Sequence, residues 1–213
     1  MPLEILHRAA PCHNVPVTFT LGIKFNYRAM HTSNEYHVRP FEESDAQSMY
    51  AAVQDSLEEL VYWLPWCKKD YALADAQAWI EFTQRAWSEK TEFPLGIFEK
   101  STGAVVGGTG INHITKAYRI GNIGYWVSTP HIGRGVARHG AKQAALLGFG
   151  ELGLTRLEIV ALTHNIASQR VAMSLGAIRE CEARNRLYFH GKPHDAVVFS
   201  LVQKDTMSWS AAR

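Results

Sequence analysis

Cysteine is scarce in this chain: Cys12, Cys67 and Cys181 are three thiols spread over 213 residues, with no CxxC pair among them. An odd, scattered set excludes a disulfide framework and a paired-thiol metal site, and it fits a reducing compartment. No run of lysine and arginine exceeds two, and 22 basic against 20 acidic residues leave a formal charge of +2. A dedicated nucleic-acid binder carries a basic stripe, so no direct nucleic-acid partner is expected. No apolar stretch approaches the ~20 residues that cross a bilayer. The first residues lack a charged segment followed by an apolar one of the secretory kind. A cytoplasmic protein without a membrane partner is the expectation.

What remains is an ordinary globular composition, 46% hydrophobic and 20% charged, in a length that suits one domain. Residues 1–30 show no sustained hydrophobic period and are broken by prolines. They read as an extension, a strap or tail, with an added edge strand as the alternative; residues 31–213 read as a single domain. From Tyr36 a short strand leads to Ser44 and Gln47, spaced as a capping box, and a first helix over 44–60. "WLPW" at 63–66 breaks the pattern before a second helix over 74–89. There Ala76, Trp79, Ile80, Thr83, Ala86 and Trp87 share one stripe. Strands follow at 93–100, 104–114 and 119–127, then a glycine-rich bend and a helix, then a strand at 156–162. A short helix from Asn165 ends at Gly176, a residue suited to left-handed termination. Two last strands, at 177–189 and 196–202, are joined by a turn at 190–195. A mixed sheet with helices on both faces, an α/β fold, packs this list.

The bend "HIGRGVARHGAKQAA" raises the functional question. Gly133 and Gly135 let the backbone curl so that its N–H groups turn toward one point. The helix behind adds its unpaired first-turn donors and positive dipole end. Together they form an anion site suited to phosphate. Arg134, Arg138 and Lys142, four apart, line one helix face and add countercharge. Ala137, Gly140, Ala141, Ala144 and Gly148 keep another face small enough to lie close on a sheet. No Gly-Lys-Ser/Thr follows, which excludes a P-loop, and Arg138 stands where the dinucleotide fingerprint needs its third glycine.

The stretch "IGYWVSTPHIGRGVARHGAKQAAL" resembles the acetyl-CoA-binding core of the GNAT acyltransferase superfamily. Its motif there is Arg/Gln-x-x-Gly-x-Gly/Ala; Gly135 and Ala137 match, while Ile132 replaces the leading residue. "NIASQRVAMSLGA" is similar to the Asn-x-x-Ser…Gly stretch of the same superfamily. With "LPW" and "GNIGYWV", the resemblance extends to the subgroup of ribosomal-protein alanine/serine N-terminal acetyltransferases, over residues 36–203.

That resemblance implies a GNAT fold whose fourth and fifth strands splay apart to admit the pantetheine arm of acetyl-CoA, the co-substrate. Tyr125, Trp126 and Val127 would contact the arm, although Trp126 reads equally well as a core aromatic. Gly133, Arg134, Gly135, Val136, Ala137 and Arg138 would hold the pyrophosphate. Asn165 would cap its helix and touch the arm, and Ser168 would sit near the thioester sulfur and give the departing thiolate a proton or a hydrogen bond; a plain cap at Asn165 and a solvent-facing Ser168 are the alternatives. The Val127 N–H would polarise the thioester carbonyl as an oxyanion hole does.

The expected base is missing. Relatives commonly carry glutamate just before "IGYW", where this chain has Asn122. Another position used for glutamate, before the final hairpin, holds Leu187 and Tyr188. Tyr188, or His113 through water, remains to accept the proton. The tryptophans beside Pro65 border the acceptor groove or pack in the core. His190, His194 and Asp195 fall in a Gly/Pro turn, so no metal is expected. Cys181, alternating with Glu180 and Glu182, reads as an inward strand residue, and no acyl-cysteine step is expected.

The function expected is transfer of an acetyl group to a primary amine, foremost a protein or peptide N-terminal α-amine, by direct attack. Small-molecule amine acetylation, succinyl transfer, or non-catalytic acyl-CoA binding by a regulatory protein are the alternatives. The resemblance also leaves room for a homodimer.

Overall fold

The computed structural model describes residues 35–210; the expected extension over 1–30 lies outside them. β1 (Tyr36–Arg39) leads through a 3-10 turn (Glu43–Asp45) to α1 (Ala46–Gln54), α2 (Leu57–Trp63) and α3 (Leu73–Glu89). β2 (Phe93–Glu99), β3 (Val105–Thr115) and β4 (Ile120–Val127) form a meander. It is followed by α4 (Val136–Gly150), β5 (Arg156–Leu162), α5 (Ile166–Ser174) and the hairpin β6 (Ile178–Phe189) with β7 (Lys192–Val202). The seven strands form one sheet in the order β1-β2-β3-β4-β5-β7-β6. Among the described residues only the β4–β5 pair is parallel.

Strand alternation divides the core. Phe93, Leu95 and Ile97 of β2 join Ile111, Ile123, Val136, Ala141 and Ala144 in a cluster under α4 and α5. Phe98 of β2 faces the other way, with Met49 and Val53 of α1 and Ala76 and Ile80 of α3. Each fully buried aliphatic of this kind contributes about 1.5–3 kcal/mol. The small face of α4 lies against the sheet as its sequence predicts. A methyl added at Gly140 would run into Ile97 Cδ1, and one at Gly148 would stand 2.9 Å from Ile111 Cδ1.

Four local expectations are corrected. The first helix is two: Ser56, buried, turns its hydroxyl to Ala52 O (2.9 Å) and accepts Thr129 N (2.8 Å). The break serves a tertiary contact, tying the α1–α2 joint to the end of β4. The capping box is not Ser44 with Gln47; Glu42 N donates to Asp45 Oδ2 at 2.8 Å, and Arg39 holds Asp45 at 2.6 and 2.8 Å. The last turn is only His190 and Gly191, both with positive φ (47° and 75°), as a two-residue hairpin requires. Residues 192–195 therefore belong to β7. Cys181 is exposed rather than inward, because β6 is the terminal strand of the sheet and almost all of it faces solvent. No helix among the described residues is long and apolar enough to cross a membrane.

Candidate active site

β4 pairs with β3 as far as Val127, yet with β5 only through Ile120, Gly121 and Asn122. Beyond the Asn122–Glu158 pair the two parallel strands part, which is the splay the resemblance implies between the fourth and fifth strands. Ser128 N donates to Val106 O, and Gly124 O accepts from the Thr109 hydroxyl of β3, so even-numbered residues of β4 direct their main-chain groups at β3. Successive residues alternate, and the N–H and C=O groups of Ile123, Tyr125 and Val127 consequently face the opened side. The gap offers a ready strand edge of unpaired donors and acceptors.

This edge leads straight into the glycine bend. Gly133 and Gly135 both hold left-handed φ (80° and 77°), a conformation that disfavours any residue with a Cβ. Residues 132–135 are exposed, and a Cβ built at Gly133 or Gly135 meets nothing within 4 Å. The first backbone bond in α4 is His139 N to Gly135 O (2.9 Å). The N–H groups of Val136, Ala137 and Arg138 thus have no acceptor inside the helix. Val136 buries its side chain in the core (1% exposed), so only its main chain can serve a ligand. Arg138 is fixed beside the bend by Nε to Ser174 O at 3.0 Å. Lys142, one turn on, lies over the Trp209 ring at 5.4 Å.

Across the splay, Tyr125 and Ser168 meet. The Tyr125 hydroxyl donates to Ser168 O (2.9 Å) and lies 3.1 Å from Ser168 Oγ. Burial pushes the phenol up to about 12, against the pull of the Ser168 bond, so Tyr125 stays protonated at any physiological pH. Asn165 caps α5 by accepting Ser168 N at 3.0 Å, as its position in the sequence predicts. Ser168 is thereby fixed from two directions, with its hydroxyl half-buried at the mouth of the gap.

On the opposite face of β4 lies a cavity of about 260 Å³. Its floor includes Gly108, Gly110 and Gly124, which present no side chains, and its wall includes Trp66, Trp79 and Trp126. Trp66 stacks on Trp79 (6.1 Å, 17°) and meets Trp126 edge-on (6.0 Å, 66°). Trp126 therefore directs its side chain to this cavity. Glu92 and Asn112 close the polar end. Nothing local in the sequence singles out Glu92. Phe93 pairs with Ile111, and Asn112 with Asn122, so Glu92, Asn112 and Asn122 form one cross-strand row on the cavity face. Only the strand register reveals that row. Asn122 Nδ2 donates to Asn112 Oδ1 at 2.9 Å within it.

Not every candidate comes together. Tyr188 is 74% exposed on β6, and its hydroxyl donates to Gly191 O (2.8 Å) across the hairpin turn. His113 is exposed at a bulge in β3 with φ 50°. Trp63 stacks on Phe189 (6.2 Å, 23°) and so joins α2 to the β6–β7 hairpin.

The sequence matches the acetyltransferase (GNAT) domain family over residues 36–178. It is 26% identical over 166 residues to the uncharacterised N-acetyltransferase YoaA of Bacillus subtilis, covering 78% of this chain and 92% of that protein. YdaF of the same organism, provisionally named a ribosomal N-acetyltransferase, is 25% identical over 170 residues, 79% of this chain and 91% of its own. A solved structure from Vibrio cholerae, provisionally named a ribosomal-protein-serine acetyltransferase, superposes with a TM-score of 0.68 at 28% identity, over 80% of this chain and 95% of that one. The ribosomal-protein-S5-alanine acetyltransferase of Vibrio fischeri shares the fold, with a TM-score of 0.73 at 21% identity over 82% of this chain and 97% of its own.

Proposed function

The chain belongs to the GNAT acetyltransferase family, and from that premise we propose that it carries an acetyl group from acetyl-CoA to a primary amine, foremost the N-terminal α-amine of a protein or peptide. The observation that carries the reading is the end of the β4–β5 ladder at Asn122, with β4 running on beside an open gap. A pantetheine arm is an extended chain with two amides and pairs there as an added strand would. Its diphosphate falls to the N–H groups of residues 133–138, where the bend and the start of α4 converge.

In this reading the Val127 N–H, which faces the gap, polarises the thioester carbonyl. Ser168 stands where the thiolate departs; Tyr125 and Asn165 hold it there, and its hydroxyl supplies the proton. Tyr188, exposed and bonded to its own turn, is left out of the chemistry. Transfer is direct in this reading: of the cysteines among the described residues, Cys67 is buried with its thiol pushed up by that burial and Cys181 lies out on β6.

Two relatives support the acceptor class, because the names of YdaF and the Vibrio cholerae protein point to ribosomal proteins. Intrinsic acidity points the same way. An α-amine with pKa ~7.7–8.0 is roughly a tenth to a sixth neutral at pH 7, whereas a lysine at ~10.4 is neutral only about once in a few thousand. Thiol release from acetyl-CoA, measured with a peptide of free N-terminus and with its N-acetylated, lysine-bearing twin, tests the assignment. Release with the first is expected; faster release with the second overturns it.

A further inference from the structure

The tryptophan-walled cavity holds one carboxylate, Glu92, and that group has no assigned task. It makes no hydrogen bond or ion pair with any described residue. The surrounding surface suits an ammonium group. Indole rings attract a cation over their faces, and each such contact contributes ~0.5–2 kcal/mol depending on desolvation. A volume of about 260 Å³ admits the end of an acceptor, an amine with a few neighbouring atoms, and is smaller than the usual ~300–1,000 Å³ of a complete ligand site.

Position matters more than composition. Gly124, Tyr125 and Trp126 line the cavity, and the same strand segment borders the splay on its other side. An amine seated over Gly124 therefore stands beside the strand that would carry the thioester. Glu92 and Asn122 share a row, two inter-strand steps or ~10 Å apart at the main chain. The carboxylate that Asn122 lacks on β4 thus enters the same face of the sheet from β2.

Resting on the acetyl-transfer reading above, we infer that Glu92 is the base that readies the acceptor: it receives the acceptor's ammonium at the polar end of this cavity and takes its first proton before the nitrogen advances along β4 to the thioester. The neutral nitrogen then attacks the thioester carbon, forming the C–N bond as the C–S bond breaks and its electron pair passes to sulfur. The second amine proton is lost on collapse and balances the one Ser168 passes to the thiolate. The proton on Glu92 leaves to solvent, so one proton is released per turnover. Burial pushes the Glu92 carboxyl above its ordinary range, while His113 on β3 pulls it back. Tyr125, the other ionisable group in the lining, keeps its hydroxyl on Ser168.

The test uses the full chain, acetyl-CoA, and a panel of Ala-Gly-Gly, Ser-Gly-Gly and spermidine, read as thiol release from pH 6 to pH 9. Glu92→Gln should lower kcat/KM for the acceptor about 100-fold at pH 7. The loss should shrink toward pH 9, where an α-ammonium loses its proton unaided. Acetyl-CoA affinity should stay within about twofold, and Glu92→Asp should restore part of the rate. A wild type that turns over, beside a Glu92→Gln variant with the same pH profile, overturns this inference alone. Loss of acetyl-CoA affinity in parallel with the rate also overturns it, by making Glu92 structural. A wild type that binds acetyl-CoA yet releases no thiol with any amine overturns the transferase reading itself.

Discussion

Substitution at Gly135 separates the two physical parts of the proposed phosphate site, its shape and its charge. The residue holds φ 77° and a Cβ there meets nothing within 4 Å. Any side chain consequently costs backbone strain, ~1–2 kcal/mol, but no steric clash. Gln and Glu incur the same strain and differ only by one negative charge. With that charge ~6 Å from a bound diphosphate, the repulsion is ~0.7 kcal/mol per unit charge in water and ~2.8 at an effective dielectric of 20. Gly135→Glu should therefore bind CoA about 3- to 100-fold more weakly than Gly135→Gln for each phosphate charge felt. Gly135→Ala should match Gln to within the strain. Calorimetric titration of CoA into the three variants at low salt reads these differences directly. In 1 M salt, where screening acts over ~3 Å, the Glu–Gln gap should largely close. Equal CoA affinity of the Gln and Glu variants at low salt would refute the placement of the diphosphate.

Tyr125→Phe removes the hydroxyl bonded to Ser168; a bond of ~1 kcal/mol predicts about a fivefold fall in single-turnover rate with CoA affinity unchanged. An unaltered rate would remove Tyr125 from the site. Arg156, which pairs with Glu180 at 2.6 Å, sits opposite Ile120 at the closed end of the splay. The Arg156 guanidinium and Ser200 hold the Glu180 carboxyl down to about 2, from an ordinary 4.5. A depressed carboxylate gives stability that is complete above its unfolded value and lost as pH falls from 4.5 toward 2. The melting temperature should accordingly drop more steeply over that window in wild type than in Glu180→Gln; parallel curves would contradict the clamp. Gly140→Val forces side-chain atoms into Ile97 and should destabilise by ~1–3 kcal/mol, read by denaturant unfolding. Unchanged stability would mean that α4 does not lie so close to the sheet.

Much of this architecture was legible because its signals are local. The strand segments of β2 to β5, the Asn165 cap, Gly176 at the end of α5 and the small face of α4 each depend on a few adjacent residues. The departures share the opposite character. The break at Ser56 exists because Thr129, far along the chain, needs an acceptor, and no propensity near residue 56 announces it. The alternation that marks Cys181 as inward holds for half-buried strands, and β6, at the sheet's end, is nearly all exposed. Glu92 stands at the charged start of an apolar strand and reads there as a boundary residue. Its place in a row with Asn112 and Asn122 follows from the register of three strands at once. Tyr188 had the right residue type for proton transfer, but the two-residue turn gives its hydroxyl a partner within the hairpin.

A crystal structure with CoA bound tests the central claim most directly, because the claim concerns main-chain groups. The account predicts diphosphate oxygens within ~3 Å of N–H groups from residues 133–138, and pantetheine amides paired with the main chain of Tyr125 and Val127. CoA seated elsewhere, or a β4–β5 ladder closed beyond Asn122 in its presence, would contradict it.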